Sequence, residues 1–227
     1  MVKKTPVLVA KEISLTYDIK TLRNNKNRWT KLTSAIIGHK KTIHALENIS
    51  LQLNGGEIIA VVGNAGSGKS SLLETLGGSS KPNSGEIWAV ESPVLLNGSF
   101  AFFGQLSGAE NIRLALLSMG INKTRTAQLS KSFIEATKIK KIANNPINSY
   151  SSTTKKKLML EFAFAQNPKA LLIDQRIKLR GQEERAEFES RIKELAKAGS
   201  SIVFVGLSIA QISKLCNRVI WLEQGQI

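Results

Sequence analysis

Residues 57–76 read EIIAVVGNAGSGKSSLLETL, an apolar strand, a glycine-rich turn and then a helix. Inside the stretch, Gly63-x-x-x-x-Gly68-Lys69-Ser70 matches the phosphate-binding loop pattern, and the flanking strand and helix supply the context that pattern needs. Glycines let successive backbone N–H groups curl around phosphate oxygens, while the helix start adds the positive end of its dipole. Lys69 is placed to reach β- and γ-phosphates, and the Ser70 hydroxyl to ligate a Mg²⁺ that bridges them. The expected cradle is therefore Gly63, Asn64, Ala65, Gly66, Ser67 and Gly68, followed by Lys69, Ser70 and Ser71.

Outward from this loop, 227 residues suit one large α/β domain with an embedded subdomain better than two independent domains. The single cysteine, Cys216, excludes an internal disulfide framework, favours a reducing compartment and reads as core filler. The first residues, MVKKTPVLVAKEI, pass from lysines to apolar residues, but Lys11 and Glu12 break the run before a secretory core forms. No segment approaches the roughly 18 uninterrupted apolar residues that span a bilayer, so any membrane role is expected to be peripheral or through a partner. Net charge is +15, from 32 basic and 17 acidic residues. Such a field attracts anionic lipid headgroups, nucleic acid or a polyanionic substrate without choosing among them, and it also serves solubility alone.

Residues 7–17 and 46–53 alternate as strands of a sheet edge. The basic insert between them places Trp29, Leu32, Ile36 and Ile37 at helical spacing beside Arg28, Lys31 and Lys40. That short helix suits a membrane surface, a membrane subunit or its own sheet equally well. Residues 86–102 read as two short strands, and Gly108 to Gln166 as helical, including NIRLALLSMG and LSKSFIEATKIKKI. After Pro168 the α/β alternation returns: ALLID is a buried strand, RAEFESRIKELAKA an amphipathic helix closed by Gly199, and SIVFV another buried strand. IAQISKLCN is a further helix and RVIWLEQGQI a closing strand and turn.

The order of the parts is more telling than any one of them: the phosphate loop, Gln105 in FFGQLSGAENI, Tyr150-Ser151-Ser152 in YSSTTKKKL, then LLID ending at Asp174. Over nearly the full chain it resembles the nucleotide-binding subunits of ATP-binding cassette transporters, and within them those that energise export of teichoic acids and related cell-surface polysaccharides. The resemblance implies an α/β fold with a P-loop NTPase core, meaning a mixed sheet with an antiparallel β edge and helices on both faces. It also implies one domain over 1–227 with a helical subdomain at 105–166, and ATP and Mg²⁺ as ligands. Tyr17 matches the aromatic that stacks on adenine, although strands favour tyrosine for packing as well. Gln105 matches the glutamine that contacts Mg²⁺ and the attacking water, or is a solvated loop residue. Asp174 matches the carboxylate that holds Mg²⁺ through water, or caps the next turn. Ser151 retains the signature serine that faces a partner's γ-phosphate. The implied partners are a transmembrane permease subunit and a second nucleotide-binding subunit, identical or not, on the cytoplasmic side of the cell membrane, with the chain peripheral to it.

Four departures from the family's pattern matter as much as the matches. Gln175 stands where the family has the glutamate that polarises water, and an amide accepts no proton at neutral pH. Glu183 and Glu184, the nearest downstream carboxylates, fall at the start of the next helix. Leu207 occupies the position of the histidine expected after the penultimate core strand; the only histidines, His39 and His44, precede the phosphate loop. Thr153 replaces a signature glycine, and Lys155-Lys156-Lys157 set positive charge at a helix start, against its dipole. RIKLRG after Gln175 is basic where the family couples its two subunits through small residues and an aspartate.

The sequence-level expectation is a nucleotide-binding subunit with no catalytic residue at either degenerate position and slow or lost hydrolysis. Its alternative is a pseudo-ATPase that regulates or scaffolds a membrane subunit, with ATP as a stabilising ligand. A nucleic-acid role, resting on charge alone, lacks an aromatic-interleaved basic platform.

Overall fold

The computed structural model describes residues 5–21, 39–97, 102–118, 120–174 and 181–227. Strands β1 (Pro6–Thr21), β2 (His39–Asn54) and β4 (Ser84–Ala89) form an antiparallel sheet in the order β2-β1-β4. Strands β3 (Ile58–Val62), β5 (Val94–Leu96), β6 (Ala170–Asp174), β7 (Ser201–Val205) and β8 (Arg218–Trp221) form a parallel sheet in the order β5-β6-β7-β3-β8. The α/β architecture is the expected one, and its antiparallel strands close into a three-stranded sheet of their own. β1 and β2 run further than their alternation suggested, pairing from Pro6↔Asn54 to Thr21↔His39 with bulges along the way.

The central parallel strands β6, β7 and β3 are buried on both faces, and period-two alternation divides their side chains between two cores. Ile59, Val61, Val203 and Val205 face Leu72, Leu73 and Leu76 of helix α1 (Lys69–Leu76), which lies under Leu8, Ile13, Leu46 and Leu53 of the antiparallel sheet. Ile58, Ile173, Ile202 and Phe204 face the other way, against Met159, Ala163 and Phe164 of a later helix and Ile192 and Leu195 of the one after it.

The helices α2 (Gly108–Ser118), α3 (Lys123–Ala136) and α4 (Ser152–Ala165) gather a third apolar cluster around Ile112, Leu116, Phe133, Leu158 and Phe162. Phe133 and Phe162 stack at 5.0 Å between ring centroids. Helical periodicity carried the reading through Ile142, but α3 ends at Ala136. Thr137 turns its hydroxyl back onto the Phe133 carbonyl (2.7 Å), and Lys138 takes a left-handed φ of 57°, which stops the helix. Ile139 and Ala143 then drop into the cluster from an irregular turn. Helices α5 (Gln182–Lys197) and α6 (Ile209–Leu215) complete the chain, with Gly199 at φ 93° after α5 as its sequence suggested. No helix among the described residues is long and apolar enough to cross a membrane.

Candidate nucleotide site

The site stands at the carboxyl ends of the parallel strands, where open α/β sheets bind ligands. β3 runs into Gly63, and α1 begins at Lys69. Two glycines of the loop are sterically compelled. A Cβ on Gly63 (φ 151°) would lie 2.0 Å from the Leu222 carbonyl oxygen, and one on Gly68 (φ 100°) 2.2 Å from that of Ala45. The backbone thus passes pressed against β2 and the C-terminal turn, while Asn64, Ala65 and Gly66 are exposed, and a Cβ added at Gly66 would meet nothing within 4 Å. Such an open, glycine-rich curl is what a phosphate group requires.

Lys69 places its ammonium over the loop, where Nζ donates to the Gly63 carbonyl (2.9 Å), the Asn64 carbonyl (2.6 Å) and Ser67 Oγ (3.2 Å). All three donors are engaged, and an arriving phosphate would compete for them. Ser67 is held from beneath: Gly225 N–H donates to its carbonyl at 3.0 Å. Ser71 lies half-buried on the following turn, its carbonyl accepting from Thr75 Oγ1 at 2.7 Å.

Opposite the loop, Ser70 Oγ donates to Asp174 Oδ2 at 3.2 Å. This pair joins residues far apart in sequence because β6 ends where α1 starts, and Asp174 is buried there. A hydroxyl and a carboxylate are hard oxygen donors of the kind Mg²⁺ takes, usually with waters and substrate phosphates completing its shell. The pair therefore fits that ion with nucleotide oxygens present. No group of three or more His, Cys, Asp and Glu among the described residues could hold a metal by itself.

Tyr17, on β1, pairs across the strands with Ile43 on β2. Both are more than a third exposed, unusual for large apolar side chains, and cross-strand partners share a sheet face. Two residues on from Ile43, the Ala45 carbonyl touches the phosphate loop. Ile43 went unnoticed in the sequence because its relevance depends on register with Tyr17. His44, its neighbour, is exposed.

Gln105 is exposed on the turn that precedes α2. That turn is stitched to the segment before α4: Ile147 N–H donates to the Leu106 carbonyl (2.9 Å) and Asn148 N–H to that of Gly104 (3.1 Å). Ser151 is the N-cap of α4, accepting from Thr154 N–H at 3.1 Å, with Oγ 2.8 Å from Thr154 Oγ1. Thr153 is exposed on the same first turn.

Leu207 follows β7, whose Val205 is in register with Asp174. Its side chain packs half-buried against the core cluster that includes Phe204 and Ile173. Gln175 and the RIKLR run at 176–180 lie outside the described residues, as do residues 22–38 of the basic insert. Glu183 and Glu184 fall in the first turn of α5.

A phosphate loop between a parallel strand and a helix, faced by a carboxylate at the end of the next strand but one, defines the P-loop nucleotide-binding class. Residues 46–177 match the family model described as ABC transporter. The teichoic acids export ATP-binding protein TagH of Staphylococcus epidermidis is 33% identical over 216 residues, covering 94% of this chain and 81% of that protein. Its namesake in Bacillus cereus is 35% identical over 184 residues, which cover 81% of this chain but 34% of that longer protein. This chain belongs to the ABC transporter family. Among solved structures, an ATP-binding subunit of an ABC transporter superposes with TM-score 0.75 at 17% identity, over 97% of this chain and 88% of that one. A dimeric ATP-binding cassette with ADP and Pi gives TM-score 0.74 at 20% identity, over 97% and 96%. These likenesses extend the family's fold to almost every part of the chain.

Proposed function

We propose that this chain is the ATP-binding subunit of an exporter of teichoic acid or a related cell-surface polysaccharide, and that it binds Mg²⁺-ATP while hydrolysing it slowly or not at all. The single observation that carries the reading is the contrast within one site. Lys69 and the Ser70–Asp174 pair are assembled around the phosphate loop, whereas the sequence has Leu207 where the family resemblance expects an imidazole.

In this reading the loop amides from Gly63 to Gly68 receive the phosphates and Lys69 transfers its donors to them. Tyr17 and Ile43 offer an apolar platform for the base. Ser70 and Asp174 would hold Mg²⁺, with Gln105 as a further ligand, and the ion would supply neutralisation of phosphate charge. Ser151 would meet the nucleotide of a second subunit, identical or paralogous. Loss of a general base costs about 10²–10⁴-fold in rate, so Gln175 alone makes turnover slow. The third apolar cluster supports treating residues 105–166 as a helical subdomain within a single 1–227 nucleotide-binding domain. We place the subunit at the cytoplasmic side of the membrane, peripheral and bound to a transmembrane permease, because its relatives are named export ATP-binding proteins and no helix among the described residues could itself cross a membrane.

Leu207 also favours a second reading, a pseudo-ATPase that regulates or scaffolds a membrane subunit. Phosphate release separates the two from an ordinary motor: Mg²⁺-ATP should raise the melting temperature while release stays at background. Release at the rate of an active ATPase would overturn the reading of Gln175 and Leu207.

A further inference from the structure

The net charge of +15 is not spread over the molecule. Residues 111–160 hold ten Lys and Arg against one acid, Glu135; residues 19–41 hold seven and none; everything else has 15 basic and 16 acidic residues. Of these two segments the first is described apart from residue 119, and seven of its ten cations are exposed, Lys155, Lys156 and Lys157 being half-buried. The turn after α3 shows why. In Lys138-Ile139-Lys140-Lys141-Ile142-Ala143, Ile139 and Ala143 are buried and Ile142 is partly so, which turns all three lysines to solvent.

The turn is fixed as well as charged. The Ala143 carbonyl accepts from Ala109 N–H (2.8 Å), the Ile142 carbonyl from the Tyr150 hydroxyl (2.6 Å), and Ile142 N–H donates to the Ile139 carbonyl (2.8 Å). Lys131 is exposed two turns back on α3, and Arg113 is exposed beside Leu114, itself 41% exposed, on α2. Among the described residues no ion pair joins Arg113, Lys131, Lys138, Lys140 or Lys141 to an acid.

We propose that this lysine-rich face of residues 111–160 is a docking surface for an anionic lipid bilayer, holding the subunit against phosphate headgroups independently of its permease. The inference rests on the membrane-side placement above, though not on nucleotide binding. Charge complementarity selects an anion, and three further observations select lipid over nucleic acid. The exposed cations are five lysines to two arginines, mostly point charges rather than the planar forks that read phosphates and bases in pairs. Among the described residues between 108 and 165 the one large apolar side chain exposed is the aliphatic Leu114, suited to the headgroup boundary. The aromatic residues of α3 and the turn before α4, Phe133 and Tyr150, are buried and unable to stack on bases.

The test is flotation of the purified chain with vesicles of phosphatidylcholine alone or mixed with phosphatidylglycerol, with and without Lys138→Gln/Lys140→Gln/Lys141→Gln. Each cation near an anionic surface contributes roughly fivefold in affinity, so the triple variant should bind the mixed vesicles about 100-fold more weakly. Unaltered chain should ignore pure phosphatidylcholine and detach as salt rises. The Mg²⁺-ATP melting shift of the triple variant reports that it is folded and tests the nucleotide reading separately. Equal binding by variant and unaltered chain would overturn the proposal. So would loss of binding only on deleting residues 22–40, or a DNA duplex that displaces the vesicles at equal phosphate concentration.

Discussion

Lys69 spends its three donors on its own loop, so the energetic question at the phosphate site is one of exchange rather than of new contact. Replacing Lys69 with Ala removes the charge that rewards exchange, and the melting shift produced by Mg²⁺-ATP should vanish; a shift of normal size in differential scanning fluorimetry would rule out this role. Gly68 makes the complementary point about stability. With φ at 100° and the Ala45 carbonyl 2.2 Å from any added Cβ, Gly68→Ala should cost about 1–3 kcal/mol or more in urea unfolding, before nucleotide is considered. Cys216 is half-buried and its thiol is pushed up to about 11 by desolvation. At pH 8 it should therefore react slowly with a disulfide reagent in the folded chain and quickly in urea, which absorbance of the released thiolate would follow. The motif residues were legible because each demand is local: a glycine for a curl, a lysine for a phosphate. Ile43 was not, since only strand register brings it beside Tyr17.

At the scale of elements, α2 begins with a reciprocal cap. Ser107 N–H and Oγ both donate to Glu110 Oε2, at 2.8 and 2.7 Å, while Glu110 N–H donates to Ser107 Oγ at 3.2 Å. Donation from the Ser107 side chain, and then from its backbone, holds the Glu110 carboxyl below its ordinary value of 4.5. A lowered value means this support is complete above pH 4.5 and is lost as pH falls through the lower folded value. Glu110→Gln should accordingly flatten part of the fall in melting temperature between pH 5 and 3; an unchanged acid limb would contradict the assignment. Further along, Tyr150 is buried and its hydroxyl bonds the Ile142 carbonyl, so Tyr150→Phe should cost about 1–2 kcal/mol in urea denaturation. The same hydroxyl would lie 2.1 Å from a Cβ on Gly108, which explains why α2 starts with glycine. Alternation and helical spacing disclosed most of these elements. They failed at residues 137–142, because Ile139 and Ile142 keep apolar spacing after Lys138 has already turned out of the helix.

Across the whole molecule, two sheets clamp α1 so that its first turn meets the end of β6. The convergence of Ser70 with Asp174 was legible only as a family resemblance, since no local pattern spans residues 70 and 174. Lys69, Ser70 and Asp174 form a polar, assembled group, while Leu207 packs into the core and Gln175 follows Asp174 in sequence. Restoring glutamate alone, in Gln175→Glu, should leave hydrolysis slow, because the Leu207 and Thr153 positions are untouched. The most direct test of binding without turnover is phosphate release from Mg²⁺-ATP by the purified chain at a nucleotide concentration that saturates its melting shift. The account expects a full thermal shift with release indistinguishable from the Lys69→Ala control; steady release at about 1 s⁻¹ or faster, within the ordinary enzymatic range, would contradict it.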